Sequence, residues 1–364
     1  MKLIAEFDLY SDYLIVNQGQ ATATDLSMLL DGHYSHDKIT RSLSKTLLGS
    51  KELWQIIKPQ AKLINKIGGV LIIDDTIEEK AYMSENDLIC WHHDHVSGRT
   101  LKGINQVTAL YYNDEISLPV AYELVKKTEW VFDKKRQKDK RVSAISKHEH
   151  FRNLVTQSIA NSLSISYILA DKWFSSAENF VFIESLCQKF IIPLKDNRKI
   201  ALSKDAQLNG LYQSIGSLVI EENQTLQVYL EGVDFPLLLT KQLFKNEDAE
   251  AVLYLVTNDL MADVETIKTQ YQKRWKSNAE AVETFYKSIK SNLGYANSPT
   301  HTIKTQNNHL FLSMVAFAKM EILKNITQKN HFALKRILSM NALKAAWKKL
   351  QVIKADNTLL NQCA

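Results

Sequence analysis

The most informative stretch of the chain is Gly68-Gly-Val-Leu-Ile-Ile-Asp-Asp-Thr76, in which an aliphatic run leads directly into two adjacent aspartates. Aliphatic and β-branched residues bounded by glycine are typical of a strand buried on both faces. We expect Asp74 and Asp75 where this strand leaves the sheet. Ionised carboxylates beside a core are costly unless a cation or hydrogen-bond donors compensate them, so the stretch indicates a metal or catalytic site. The alternative is an aspartate that caps a helix or shapes a turn after an ordinary strand.

A second stretch repeats this pattern further along the chain. Residues 164–174 read Ser-Ile-Ser-Tyr-Ile-Leu-Ala-Asp-Lys-Trp-Phe, an aliphatic run that ends at Asp171. Residues 106–112 and 116–124 predict a β-hairpin, and residues 189–195 predict another strand. Packing alone does not readily explain two buried strands that both end in aspartate. The pattern therefore predicts an α/β core that carries a carboxylate site.

Residues 1–66 predict a small all-α unit, because apolar residues recur there at helical spacing and strand signals are few. Within it, residues 23–30 and 35–43 predict two short helices, with Gly32 ending the first and Ser35 capping the second. This is the spacing of a helix-turn-helix that would bind DNA ends. An ordinary packed helical hairpin has the same pattern.

The rest of the chain divides where the pattern changes. The predicted segments are the first part of an α/β core at 67–199, a β-rich insertion at 200–257, a helical segment that completes the core at 258–325, and a C-terminal helical segment at 326–364. Between Trp130 and Arg152, eight lysines and arginines stand against three acids. We expect a long basic linker there, which is either a solvated mobile loop or a contact for the DNA backbone.

Composition limits the classes of function. Lys and Arg exceed Asp and Glu by 45 to 40, and the pI near 8.8 permits a polyanionic partner. The cysteines are scattered, which argues against a disulfide framework or a thiolate zinc site. The stretch Trp91-His-His-Asp-His95 has the residue types of a zinc site, but adjacent histidines seldom share a tetrahedral ion. Without a signal peptide or an apolar span, we expect a soluble, cytoplasmic protein.

Two strands that end in Asp75 and Asp171, followed by a helix rich in Glu, Lys and Arg, suit two-metal phosphoryl transfer. Hard divalent cations prefer oxygen ligands on rigid supports. Two such ions activate the attacking oxygen and stabilise the leaving oxygen of an in-line displacement at phosphorus. Nearby basic residues would hold the nucleic acid strand.

At this point the sequence resembles the DDE transposases of bacterial insertion sequences, in the group with a Tyr-Arg-Glu-Lys signature. The resemblance extends from about residue 20 to about residue 325. It is carried by the order of several motifs: 72–76 (Ile-Ile-Asp-Asp-Thr), 98–104 (Gly-Arg-Thr-Leu-Lys-Gly-Ile), 118–124 (Leu-Pro-Val-Ala-Tyr-Glu-Leu), 170–174 (Ala-Asp-Lys-Trp-Phe), 190–197 (Phe-Ile-Ile-Pro-Leu-Lys-Asp-Asn), 254–259 (Tyr-Leu-Val-Thr-Asn-Asp), 271–275 (Tyr-Gln-Lys-Arg-Trp) and 285–290 (Phe-Tyr-Lys-Ser-Ile-Lys).

The resemblance implies an α/β fold with an RNase H-like mixed sheet flanked by helices, interrupted by a β-rich insertion before the last catalytic helix. In such a fold the first and fourth strands are neighbours, which would bring the aspartates together. The family's first metal ligand directly precedes a threonine, so the resemblance favours Asp75 over Asp74, which would support it. Asp171 resembles the second ligand.

The third ligand requires a choice between glutamates. Tyr271 and Arg274 keep the first interval of the signature, but the position expected for Glu is Asn278. Glu283 and Lys290 keep the later seven-residue interval, which implies five extra residues between the halves of the signature. In an unbroken helix these would rotate the second half by roughly 140°, so the segment must bulge or kink, Tyr271 and Arg274 must have lost their usual role, or activity is impaired. Glu283 is the expected ligand, with Glu280 in reserve.

The implied activity is cleavage of transposon ends followed by joining of the freed 3′-hydroxyl to target DNA. Asp75, Asp171 and Glu283 would bind two Mg²⁺ or Mn²⁺ ions. The residues expected to contact DNA are Tyr271, Arg274, Lys287 and Lys290. Double-stranded DNA, both terminal inverted repeats and target, would be the partner, bound by a homodimer at the nucleoid. The alternatives are an RNase H-like nuclease or resolvase without strand transfer, a catalytically impaired DNA-binding relic, and a structural scaffold without a nucleic acid partner.

Overall fold

The structure is a computed structural model. It describes residues 3–94, 97–113, 116–134, 137–222, 224–246, 249–274 and 281–355, and only the backbone at 244–246, 249–251, 281 and 355. The chain forms two compact units. One unit is Leu48–Tyr286, and the other combines residues up to Leu47 with residues from Lys287 onward. None of the described helices is both long and apolar enough to cross a membrane.

The elements follow one another in a mixed α/β order. The strands, in chain order, are β1 Val70–Glu79, β2 Cys90–His93, β3 Thr100–Asn113, β4 Ile116–Leu124, β5 Glu129–Asp133, β6 Lys138–Val142, β7 Tyr167–Ala170, β8 Phe190–Leu194, β9 Lys199–Ala201, β10 Gln213–Ser214, β11 Thr225–Leu230, β12 Leu237–Asn246 and β13 Ala249–Thr257. The helices are α1 Ala5–Val16, α2 Ala23–Leu29, α3 His36–Lys45, α4 Ser50–Ile64, α5 Lys147–Ala160, α6 Ala177–Ser185, α7 Lys204–Leu208, α8 Val264–Gln272, α9 Ala281–Ser291, α10 Ile303–Thr327 and α11 His331–Ala355, with 3-10 turns at Lys172–Phe174 and Ile215–Ser217.

The centre of the first unit is a mixed sheet with the strand order β4-β3-β1-β7-β8. Strands β4, β3 and β1 pair antiparallel, whereas β7 and β8 run parallel to β1. Helices α4 and α5 pack on this sheet. A mixed sheet of this order with flanking helices is consistent with an RNase H-like fold, and the predicted α/β class is confirmed.

The sheet continues beyond β8 into the segment predicted as a β-rich insertion. Strand β13 pairs antiparallel with β8, and β12, β11, β9 and β10 follow outward in that order. The strands between residues 200 and 257 therefore extend the same sheet by antiparallel pairing.

The aspartates lie inside strand β1 and not at its end, which differs from the sequence expectation. Val70 to Ile73 are fully buried and have a neighbouring strand on both sides. Beyond Ile73 the pairing with β7 stops, whereas β3 remains paired with β1 as far as Glu79. The strand is longer than predicted because β3 supports it over its whole length.

The segment predicted as a basic linker is a β-hairpin formed by β5 and β6. Trp130 lies directly opposite Arg141 across the hairpin, and the guanidinium carbon is 4.6 Å from the centre of the indole ring. Aromatic and cationic side chains that face each other across two strands stabilise the pairing. The many charged residues of this segment hide, in the sequence, the side-chain alternation that would predict two strands.

In the second unit, α10 packs against α1 and α3. The Tyr10 hydroxyl lies 3.0 Å from Nδ1 of His309, and the Asn308 amide donates to the carbonyls of Leu43 and Thr46. Helices α2 and α3 lie where the sequence predicts them, and Ser35 caps α3. Helix α4 belongs to the other unit. The predicted limits at residues 66, 199, 257 and 325 stay predictions.

We predict that Gly103→Ala lowers the free energy of unfolding by about 1–3 kcal/mol, the usual cost of overpacking. A Cβ at position 103 would lie 2.1 Å from the carbonyl oxygen of Glu78 on β1, so the two strands must separate. Urea unfolding measures the change. Gly19→Ala is the matched control, because a Cβ there meets nothing within 4 Å. Equal midpoints for the two variants would contradict the close approach of β1 and β3.

Candidate active site

The register between β1 and β7 sets the geometry of the candidate site. Ile73 pairs with Ala170 in the last parallel pair. The next residue on β1 is Asp74, and the next residue after β7 is Asp171. Residues at matching positions of neighbouring strands project to the same face of a sheet. The structure therefore brings Asp74 and Asp171 to adjacent positions on one face.

Asp74 is a partly buried carboxylate with several hydrogen-bond donors around it. Nη2 of Arg274 lies 3.0 Å from its Oδ2, and the backbone N–H of Asp75 donates to its Oδ1 at 2.9 Å. Burial raises the pKa of Asp74 to about 6; the Arg274 charge opposes this rise, and the charges of Asp171 and Asp75 add to it. The buried charge of Asp74 in turn raises the pKa of Arg274 against the effect of desolvation.

Asp75 has different partners. Nζ of Lys147, in the first turn of α5, lies 2.7 Å from its Oδ2, and the Asn105 amide donates to the same oxygen at 3.3 Å. Consecutive strand residues project to opposite faces. Lys147 and Asn105 therefore engage Asp75 on the face away from Asp74, so the residue favoured by the sequence is not the one in register with Asp171.

Asp171 caps the short turn that follows β7. Its Oδ1 accepts the backbone N–H of Trp173 at 2.8 Å. The buried amide of Asn179 donates to the carbonyl of Phe174 at 2.9 Å and accepts from Arg152 at 2.9 Å. These bonds tie the turn to α5 and α6, which fixes where the Asp171 carboxylate lies.

The residues expected to contact DNA differ in exposure. Tyr271 and Arg274 are buried, with 3% and 5% of their surface exposed. The Tyr271 hydroxyl donates to the carbonyl of Ala170 at 3.5 Å. Lys287 is exposed, with its Nζ 5.4 Å from the centre of the Phe332 ring, and Lys290 is half-buried. DNA contact by these residues stays a prediction.

Glu283 lies in the first turn of α9 and is exposed. Within the described ranges, no group of three His, Cys, Asp or Glu side chains is arranged to hold a metal ion, so Glu283 does not join Asp74 and Asp171 here. Tyr286, one turn further along α9, donates from its hydroxyl to the backbone carbonyl of Asp74 at 2.8 Å. Residues three apart share a helix face, so the face that carries Tyr286 to β1 also carries Glu283.

Helix α8 ends at Gln272, and Lys273 and Arg274 follow it in a turn. Tyr271 lies on α8 and Arg274 just beyond its end, whereas Glu283 and Lys290 lie on α9. Asn278 and the reserve candidate Glu280 are outside the described residues.

The donor chemistry of Asp74 and Asp171 fits a divalent cation. Both offer carboxylate oxygens, which Mg²⁺ and Mn²⁺ prefer. The charge of Asp171 disfavours ionisation of Asp74, so a cation between them would relieve a repulsion that the protein has built in. His92 and His93 do not form a comparable site, since they alternate between the buried and exposed faces of β2, and His95 is outside the described residues.

Comparison with known families agrees with this geometry. A family model described as DDE superfamily endonuclease matches residues 5–209, which is more than half of the chain. The chain belongs to this family. A second model, described as transposase DDE domain, matches residues 142–318. Together the matches include both strands of the carboxylate pair and the residues Arg274 and Glu283. No curated protein matches the chain.

The sequence identifies the aspartates of the site but not three residues that bind them, which are Lys147, Asn105 and Tyr286. Lys147 is one of the cations of the basic segment, and the sequence patterns assign no role to Asn105 or Tyr286. Ser146 caps α5 in a capping box with Glu149, and this sequence-readable signal places Lys147 in a first helical turn. Nothing in the sequence indicated that Lys147 pairs with Asp75.

We predict that Arg274→Met lowers the free energy of unfolding by about 3 kcal/mol at pH 8 in the presence of EDTA. Removing one partner of a buried ion pair leaves the other charge uncompensated. The folded-state pKa of Asp74 is above its ordinary value, so ionised Asp74 costs stability as pH rises through about 4 to 6. Arg274→Met extends that cost to higher pH. The deficit relative to wild type is therefore smaller at pH 5, where Asp74 is protonated.

Thermal unfolding at pH 5 and pH 8 measures this difference. Exposed Arg336 provides the matched control, since Arg336→Met removes a guanidinium without a buried partner carboxylate. In an Asp74→Asn background, the deficit caused by Arg274→Met should no longer depend on pH. A deficit that keeps its pH dependence in that background belongs to another group.

Proposed function

We propose that this chain is a DNA transposase that cleaves the ends of its element and joins the 3′-hydroxyl to target DNA by two-metal in-line phosphoryl transfer. The observation that carries the proposal is the register that sets Asp74 beside Asp171 at the centre of the sheet. Membership of the DDE superfamily and the match to a transposase DDE domain support it.

In this proposal, Asp74 and Asp171 are the metal ligands, and Asp75 is a supporting residue. This reverses the ranking that the sequence favours, which rested on the threonine that follows Asp75. Three observations support the reversal: the register, the influence of the Asp171 charge on the pKa of Asp74, and the engagement of Asp75 by Lys147 and Asn105.

Two Mg²⁺ or Mn²⁺ ions bound there would activate the attacking oxygen and stabilise the leaving oxygen. The chain's own groups prepare the site for negative charge. Arg274 binds Asp74 from the turn after α8, and Lys147 binds Asp75 from the first turn of α5. Tyr286 holds the backbone at Asp74, so β1 is fixed on both sides of the pair.

Glu283 is proposed as the third ligand, since it shares a helix face with Tyr286. Its exposed position requires that DNA or metal binding draws α9 toward the aspartates. Lys287 and Lys290, further along α9, are proposed to contact the phosphate backbone, which supplies affinity and salt dependence but no sequence choice. Arg274 and Tyr271 are proposed to act from their buried positions, by holding Asp74 and the end of β7.

Further proposals concern the partners. The helices α2 and α3 are proposed to recognise the terminal repeats, and two chains are proposed to hold two ends as a homodimer at the nucleoid. An RNase H-like nuclease or resolvase would share the carboxylates but would not join DNA. An impaired DNA-binding relic would bind without cleaving.

We expect Asp74→Asn and Asp171→Asn to reduce Mn²⁺-dependent DNA cleavage by at least about 100-fold, because each removes a metal ligand. Asp75→Asn should cost about 10-fold, as expected for a group that supports a ligand. The substrate is a plasmid that carries the DNA flanking the coding sequence. Exposed Asp196→Asn is the control. If Asp75→Asn abolishes cleavage while Asp74→Asn remains active, the ranking drawn from the sequence is right and ours is not.

The third ligand is tested by Glu283→Gln against Glu280→Gln under the same conditions. We expect Glu283→Gln to lose at least about 100-fold in cleavage and Glu280→Gln to resemble wild type. Precut ends with a free 3′-hydroxyl then test joining, since a nuclease leaves them unjoined and a transposase inserts them into a target plasmid. Full activity of Glu283→Gln would exclude it as a ligand.

A further inference from the structure

A groove separate from the carboxylate pair lies between β2 and the β5–β6 hairpin, with a volume of about 770 Å³. Among the residues that line it are Trp91, Trp130, Lys127, Lys138 and Arg141, and we call it the tryptophan groove. All of it lies within the unit Leu48–Tyr286. Its volume is in the range of about 300–1,000 Å³ that is usual for sites holding a small molecule or a single residue of a polymer.

The two indole rings are exposed and yet held in position. Trp91 and Trp130 have 51% and 59% of their surface exposed. Trp130 lies under the guanidinium of Arg141 at 4.6 Å, and the Lys102 ammonium is 6.0 Å from the ring of Trp91. The Lys127 ammonium donates to the backbone carbonyl of Trp91. Neither ring fills the core, so their exposure calls for a ligand that has a flat face.

Several charged side chains of the groove form ion pairs, so they hold its walls in place more than they attract a polyanion. Arg141 is bound by the carboxylates of Asp87 and Glu85, and Lys140 pairs with Asp133 at 3.1 Å. These pairs make the groove close to neutral, with Lys127 and Lys138 as further cations and Asp139 as a further acid. A site of this kind gains affinity mainly from stacking on the indole rings, and the cations orient a phosphate.

This chemistry selects an unpaired nucleotide. In a duplex, the base faces are covered by their stacked neighbours, so only an unpaired base offers a face to an indole ring. Nucleobases also carry hydrogen-bond donors and acceptors, which suit a groove lined by both acidic and basic side chains. A site for duplex DNA would instead show a continuous set of phosphate contacts.

The tryptophan groove also lies within electrostatic range of the carboxylate site. Burial lowers the pKa of Lys127, and the charge of Lys147 lowers it further. Lys147 is the residue that holds Asp75. Lys127 of the groove therefore lies near the partner of Asp75.

We propose that the tryptophan groove binds an unpaired nucleotide of the DNA substrate, with its base stacked on Trp130 and Trp91 and its phosphate near Lys127 and Lys138. The proposal rests on the proposed function for the identity of the polymer. The expected stacking of a base on the two indole rings does not depend on the proposed function.

The test measures binding of a fluorescein-labelled dT15 oligonucleotide to the whole chain in EDTA by fluorescence anisotropy. We expect Trp130→Leu and Trp91→Leu each to raise Kd by about 10-fold, in line with the loss of one stacking contact. Trp130→Phe should recover most of the affinity, since it keeps an aromatic face. Trp347→Leu, which removes an exposed tryptophan of α11, is the matched control and should bind as wild type.

A duplex of the same length is the second probe, and its Kd should change by less than about 2-fold in the Trp130 and Trp91 variants. Unchanged dT15 binding in both variants would overturn the proposal, as would equal losses for single strand and duplex. Cleavage is measured separately in Mn²⁺. If the chain never cleaves DNA but the Trp130 variant loses affinity for dT15, the proposed activity is wrong and the groove proposal stands. If the chain cleaves DNA and the variants bind dT15 as wild type does, the groove proposal is wrong and the proposed activity stands.

Discussion

The parallel pairing of β1 with β7 is the constraint on which the candidate site depends. It ends at Ile73 and Ala170, so the next residues, Asp74 and Asp171, enter solvent-accessible space at matching positions. Antiparallel pairing with β3 then carries β1 onward to Glu79. Beyond Ile73, β1 is paired on one side only, so its carboxylates are accessible while β3 still holds its backbone. Both conditions are required of a metal ligand.

Adjacent like charges raise the free energy of the folded state, and the chain compensates Asp74 and Asp75 with one cation each. Arg274, two residues beyond the end of α8, pairs with Asp74, and Lys147, at the start of α5, pairs with Asp75. The positions of both helices are therefore coupled to the ionisation of the aspartates. The pKa of Asp74, raised to about 6, reflects incomplete compensation, which suits a carboxylate that binds a cation.

Much of the fold could be predicted from the sequence, because the strands before both aspartates are buried aliphatic runs and the caps of α3 and α5 are readable. The positions of Asp74 and Asp75 relative to Asp171 could not, since both aspartates follow the same run and only the register with β7 places Asp74 in line with Asp171. Register is set by hydrogen bonds to a strand almost a hundred residues away. The sequence does not predict the β5–β6 hairpin, because its many charged residues favour a loop and the pairing of Trp130 with Arg141 is visible only in the fold.

The distribution of basic residues explains why composition was a weak guide to function. The formal net charge of +5 is small for a chain that handles a polyanion, and several of its cations are committed inside the protein. Arg274 and Lys147 neutralise the aspartates, and Arg141 is held by two carboxylates. Such residues cannot also supply free electrostatic attraction. In the proposed function, binding then relies on local features such as the exposed Lys287 of α9 and the aromatic face of Trp130. Affinity built on stacking is less sensitive to salt than affinity built on phosphate contacts, so salt dependence separates the two contributions in one protein.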